Sequence, residues 1–136
     1  MQPLTSDSQP PTVPILPADV NPLAPVIVMI TAESHEQARA ISRDLLERRL
    51  AACATLIRGV ESLYWWKGVL ESAVETLIIV KTVAGNGGSI RTAVRAIHTY
   101  EVFEMVVVPI VGGSEDYLDW IAREVLAEGG SGPRED

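Results

Sequence analysis

Apolar residues along this chain fall into two rhythms. The first patterned stretch is Val26-Ile27-Val28-Met29-Ile30, a short continuous apolar run. A run of that length, rich in β-branched residues, predicts a strand buried on both faces. The spacing then changes to three and four. Ala38, Ile41, Leu45 and Leu46 make one stripe, and Arg39, Arg43, Asp44, Glu47 and Arg48 take the opposite side, which predicts an amphipathic helix. Ser34 with Gln37 three residues later reads as a capping box at its start. Residues 53–66 carry Thr55, Ile57, Val60, Tyr64, Trp65 and Trp66, a β-branched and aromatic set that predicts a long strand. Lys67-Gly68 folds it back, and the return arm ends in the apolar run from Thr76 to Lys81. Arg58-Gly59 predicts a bulge in the first arm, and Ser72-Ala73 weakens the second. A glycine-rich loop over residues 84–88 precedes Ser89, the expected cap of a second helix with Ile90, Ala93, Val94 and Ile97 facing in. Residues 105–110 make the last core strand. Beyond Gly112-Gly113, Ser114 caps a third helix with Leu118, Ile121, Ala122 and Val125 on its apolar face, and Gly129-Gly130 ends it.

The order is β-α-β-β-α-β plus a C-terminal helix. That is an α+β chain with the split βαβ of the ferredoxin-like class and a long central hairpin. The hairpin outgrows a domain of this size. Its far end around Tyr64-Trp65-Trp66 exposes aromatics and open strand edges unless another copy of the chain covers them. Seven of the nine prolines fall in residues 1–25, a density that blocks helices and ladders. The expected organisation is a disordered proline-rich tail over 1–25, one domain over 26–127, and a flexible tail over 128–136.

Charge and cysteine content narrow the function classes. The net charge of −7 argues against nucleic acid, which needs a basic footprint. Residues 26–126 hold 13 acids against 10 bases, so the imbalance is concentrated outside the patterned part. A single cysteine, Cys53, cannot form a disulfide within the chain. The first Lys or Arg is Arg39, and prolines break the apolar residues ahead of it, which is not the pattern of a secretory signal. No stretch has the length and apolarity of a membrane span. The expected location is the cytoplasm.

The run from Leu50-Ala51-Ala52-Cys53 to Ile57, then Gly59, then Ser62-Leu63-Tyr64-Trp65-Trp66-Lys67-Gly68, resembles the CutA divalent-cation-tolerance family. Thr31-Ala32, the segment His98 to Glu104, Pro109-Ile110-Val111, and Asp116-Tyr117-Leu118-Asp119-Trp120 agree in order and spacing. The resemblance implies a ferredoxin-like fold and a tight homotrimer. It also implies clefts between subunits that gather Tyr64, Trp66, Lys67, Lys81, Tyr100 and Glu104 as a small-ligand pocket. Where the family usually has proline, this chain has Thr99 and Phe103, which frees the backbone of that loop.

The densest polar cluster beside core strands is His98-Thr99-Tyr100-Glu101-Val102-Phe103-Glu104. Alternate side chains of an extended segment share a face, which can bring His98, Tyr100 and Glu104 together. Imidazole with carboxylate oxygen suits first-row divalent metals such as copper or zinc. The competing reading makes His98 a helix cap and Glu104 a backbone partner. Cys53 is either a soft copper ligand or a small buried hydrophobe. The expected metal set is therefore His98, Cys53, Glu101 and Glu104, with copper or another divalent cation as the ligand. Some CutA members proposed to bind copper carry a second cysteine where this chain has Ile30, so one chain offers no two-sulfur site.

Two functions follow. One is a trimeric, non-enzymatic protein that binds divalent cations and serves metal tolerance. The other is a trimeric sensor or scaffold that binds a small molecule in its intersubunit clefts. Catalysis is not expected. Acylphosphatases share the chain order but need an Arg in the loop after the first strand, where this chain has Thr31-Ala32-Glu33-Ser34-His35. RNA-recognition modules share it too, and their aromatic signature is missing from Thr76 to Lys81.

Overall fold

The computed structural model describes residues 14–125. Its elements are β1 (Pro25–Ala32), α1 (His35–Glu47), β2 (Cys53–Trp66), β3 (Val69–Val83), a 3₁₀ turn (Ala84–Asn86), α2 (Gly87–Ile97), β4 (Met105–Pro109) and α3 (Glu115–Glu124). The four strands form one antiparallel sheet in the order β2-β3-β1-β4. This is the ferredoxin-like arrangement that the pattern predicts. Val28, Ile30, Ile78 and Val80 are fully buried beneath the stripes of α1 and α2, where Ala38, Ile41, Leu45, Ile90 and Val94 complete the core. Leu46, expected on that stripe, is partly exposed in the groove between α1 and β2. Ser34 caps α1 by accepting from the Gln37 amide at 3.1 Å.

β2 and β3 run well past the sheet. β1 pairs with β3 only from Thr76 to Val83, so Val69 to Glu75 has β2 as its sole partner. The projecting ribbon is about 20 Å long at the usual strand rise. The register steps from Ile57↔Leu77 to Val60↔Glu75, a bulge of one residue at Arg58-Gly59. Gly59 sits at φ 71°, and Lys67 and Gly68 at φ 51° and 78° make the tight turn. Ser72 and Ala73, by contrast, keep register with Leu63 and Ser62.

The stretch before β1 differs from the expected tail. Residues 1–13 lie outside the described residues, but Leu16 and Val20 pack against the core. The Ala24 and Pro22 carbonyls accept from Ala84 and Gly85 amides, each at 2.8 Å. Prolines exclude a ladder but still permit a bonded turn, and the apolar residues between them supply the anchor. The glycine-rich stretch is likewise no loose loop. It is a 3₁₀ turn running into α2, which starts at Gly87 instead of being capped by Ser89. Asn86 is fully buried and donates to the Leu50 carbonyl at 3.1 Å. A Cβ on Gly87 would meet Ile15 Cγ2 at 2.8 Å, so the glycine admits the docked N-terminal segment. The expected tail over 128–136 and the Gly129-Gly130 stop lie outside the described residues.

Candidate functional site

The polar cluster after α2 is held from all sides. His98 is the C-cap of α2 and only 6% exposed. Its Nε2 donates to the Thr31 carbonyl at 2.7 Å, and its Nδ1 accepts from the Tyr100 amide at 3.1 Å. Burial, with the Arg95 charge acting the same way, holds its pKa below the ordinary histidine value although Thr31 and nearby acids pull it up. The ring is thus one neutral tautomer with both nitrogens engaged.

Arg95 on α2 donates to the backbone carbonyls of His98 at 3.2 Å, Glu101 at 2.5 Å, and Tyr100. Its guanidinium also lies 4.8 Å from the Phe103 ring centre. Phe103 stacks on His98 with centroids 5.0 Å apart. Thr99 donates to the Glu33 carboxylate at 2.9 Å. The two residues that replace the family's prolines therefore fasten the loop, and the expectation of a freed backbone is corrected.

A pocket of about 640 Å³ opens between this loop and the outer half of the ribbon. Tyr64, Trp66 and Lys67 reach it from β2 and its turn, and Tyr100 and Glu104 from the loop. Glu75 and Thr31 lie on its walls as well. Glu75 is 8% exposed and accepts from the Tyr100 hydroxyl at 3.0 Å. Desolvation and the Glu75 charge raise the pKa of Glu104, and desolvation with the Glu75 hydrogen bond raises that of Tyr100. Among the described residues neither Glu75 nor Glu104 has an ion-pair partner. The pocket thus carries two carboxylates, a neutral phenol and an aromatic wall, with the Lys67 ammonium 5.6 Å from the centre of the Trp66 ring.

Other expected site residues stand elsewhere. Lys81 pairs with Ile27 and Cys53 toward the opposite end of β3, and its ammonium lies 5.7 Å from the Tyr117 ring centre on α3. It does not join the pocket. Cys53 is half-buried at that same end, its sulfur 3.9 Å from the Thr55 hydroxyl. Glu101 is exposed and serves Arg95 through its carbonyl. No three His, Cys, Asp or Glu among the described residues gather to hold a metal. The expected set of His98, Cys53, Glu101 and Glu104 is therefore scattered, and alternation fails because residues 98–104 are a folded loop, not a strand. Glu75 escapes the sequence reading. Its signal is an acid directly before the apolar run that forms the buried half of β3.

The family model described as CutA1 divalent ion tolerance protein matches residues 26–124. The divalent-cation tolerance protein CutA of Thermus thermophilus is 41% identical over 95 residues, covering 70% of this chain and 92% of that one. The crystal structure of CutA1 from Oryza sativa superposes with a TM-score of 0.74 at 31% identity, covering 76% and 94% of the two chains. The periplasmic divalent cation tolerance protein CutA from Archaeoglobus fulgidus superposes with a TM-score of 0.69 at 38% identity, covering 71% and 94%.

Proposed function

The chain belongs to the CutA1 divalent ion tolerance family, and from that premise we propose that it is a non-enzymatic homotrimer whose working site is the Glu75–Glu104 pocket, completed by a neighbouring copy and occupied by a divalent cation. Divalent-cation tolerance is the family's role, and the pocket is where this chain meets the ion. The observation that carries the reading is a nine-tenths-buried carboxylate sharing a pocket with a second one, neither held in an ion pair among the described residues. A cation would relieve the desolvation and the Glu75 charge that raise the pKa of Glu104.

The donor set also selects the ion. Carboxylate oxygens suit Mg²⁺, Ca²⁺ or Mn²⁺, whereas copper prefers the nitrogen and sulfur donors this pocket does not present. His98 does not fit a metal, since binding would break one of its two buried hydrogen bonds. The remaining ligands come from water or the neighbouring copy.

The trimer reading rests on the ribbon. A two-stranded ribbon alone is marginal in water. This one leaves Leu63, Trp65, Leu70 and Val74 between 61% and 72% exposed. Pairing with sister chains satisfies its edges and covers those side chains. A cytoplasmic location belongs to the same proposal, supported by a lone cysteine that a reducing compartment keeps as a thiol.

Titration calorimetry with Mn²⁺, Ca²⁺ and Cu²⁺ under reducing conditions tests the cation reading. Mn²⁺ or Ca²⁺ uptake lost in Glu75→Gln and kept in His98→Ala is the expected result. Copper uptake that vanishes in His98→Ala contradicts it. A second reading, a small-molecule sensor, is favoured by one observation: 640 Å³ with an aromatic wall is far more room than an ion needs. Silence toward all three ions, with a metabolite raising the melting temperature, favours that reading.

A further inference from the structure

A second cavity lies in the groove between α1 and the outer strand β2. It encloses about 320 Å³. Two polar atoms on its wall are shut off from solvent and have no hydrogen-bond partner, Nδ1 of His35 and Oγ of Ser42. Ser42 is 4% exposed. Folded proteins seldom leave such groups unmet without a use for them.

Their surroundings give the use. His35, Arg39, Ser42 and Arg43 follow helical spacing and share one face of α1. Arg39 makes no ion pair among the described residues. Arg43 holds Glu47 at 3.7 Å with both side chains 69% exposed, a loose pair that yields readily to a stronger anion. Arg58 of β2 lies close enough for its charge to act on His35 alongside that of Arg39. In a chain of net charge −7 two guanidinium groups line this groove, Arg39 and Arg43, with the Arg58 charge nearby. Its remaining wall is apolar, from Ala54 and Leu56 of β2.

We propose that this groove binds a small phosphate monoester. The guanidinium groups of Arg39 and Arg43 take two phosphate oxygens, for which the planar fork is suited. Ser42 Oγ–H and His35 Nδ1–H supply the two short-range donors that the fold leaves idle. The organic part of the ester lies along Ala54 and Leu56, and the volume suits a phosphate with a small body. This site is independent of the carboxylate pocket and of any metal.

The test is a calorimetric and ³¹P NMR titration of the full chain with inorganic phosphate and with ribose 5-phosphate. Saturable binding is expected for both, tighter for the ester. Arg39→Gln should weaken it by at least about tenfold. Ser42→Ala should leave the melting temperature of the free protein unchanged or raise it, because the idle hydroxyl goes, while the phosphate-induced rise in melting temperature is lost. Absence of saturable binding overturns the proposal. So does equal binding by Arg39→Gln, which marks a general anion effect. A Ser42→Ala protein that melts lower and binds phosphate undiminished assigns the hydroxyl to packing and overturns it too.

Discussion

With Nε2 on the Thr31 carbonyl and Nδ1 on the Tyr100 amide, His98 is spent on joining the end of α2 to the end of β1. Replacing it with Ala strands both groups, and stability should fall by about 1–3 kcal/mol, measurable by urea denaturation. The same bonds set a pH dependence. His98 has its folded pKa below the unfolded value of 6.5, so its contribution is complete above that pH and lost as pH falls through 6.5 toward the folded value. Protonating Nδ1 also removes the acceptor of the Tyr100 amide. The protection of the Tyr100 amide relative to its intrinsic exchange rate should therefore fall as pH drops below 6.5. Glu104 behaves oppositely. Its pKa is raised above 4.5 by desolvation and by Glu75, so the folded state holds the proton more tightly and stability declines as pH climbs from 4.5 to the folded pKa. Glu104→Gln should melt higher than the parent at pH 7, with the difference gone at pH ~4. An unchanged melting temperature at pH 7 would show that the two carboxylates do not compete.

At the scale of elements, the strands and helices were legible because burial imposes period 2 or 3.6 on the sequence. The hairpin could be placed from its own residues. Lys67-Gly68 supplies both positive-φ positions of the turn, and Gly59 supplies the one in the bulge. Nothing lies within 4 Å of where a Gly59 Cβ would stand, so Gly59→Val tests the backbone alone. It should cost about 1–2 kcal/mol and loosen the ribbon. What could not be read was the long-range placement of short segments. Leu16 and Val20 carry no period, yet they dock on the core. Arg95 looks like a solvated helix position, yet its bonds to three loop carbonyls decide where Tyr100 and Glu104 point. Glu75 became a site residue only once Tyr100 came back across the sheet to meet it. Arg95→Ala should leave the helix content unchanged while calorimetric Mn²⁺ affinity falls. Retained affinity would mean that the loop holds its shape without the clamp.

For the molecule as a whole, the sheet and two helices make a self-sufficient core, and the ribbon does not belong to it. Leu63, Trp65, Leu70 and Val74 are large apolar groups on a ribbon in which each strand is supported by one other strand among the described residues. Of the two tip tryptophans, Trp65 is the more exposed at 72%, so it is the better probe of assembly. Trp65→Asp should shift the protein toward a monomer or aggregate and lower its melting temperature. The resemblance supplied the trimer, and the ribbon's exposed residues supply a physical reason for it. The carboxylate pocket shares Leu63 and Trp65 with those exposed residues, so under the proposed assembly the copy that covers them would also close the pocket. Light scattering of the full chain at low micromolar concentration tests this most directly. A single species of about 44 kDa, three times the chain mass of 14.7 kDa, is the expected result. A folded species of 14.7 kDa, with Trp65 open to solvent and no larger form on concentration, would contradict it.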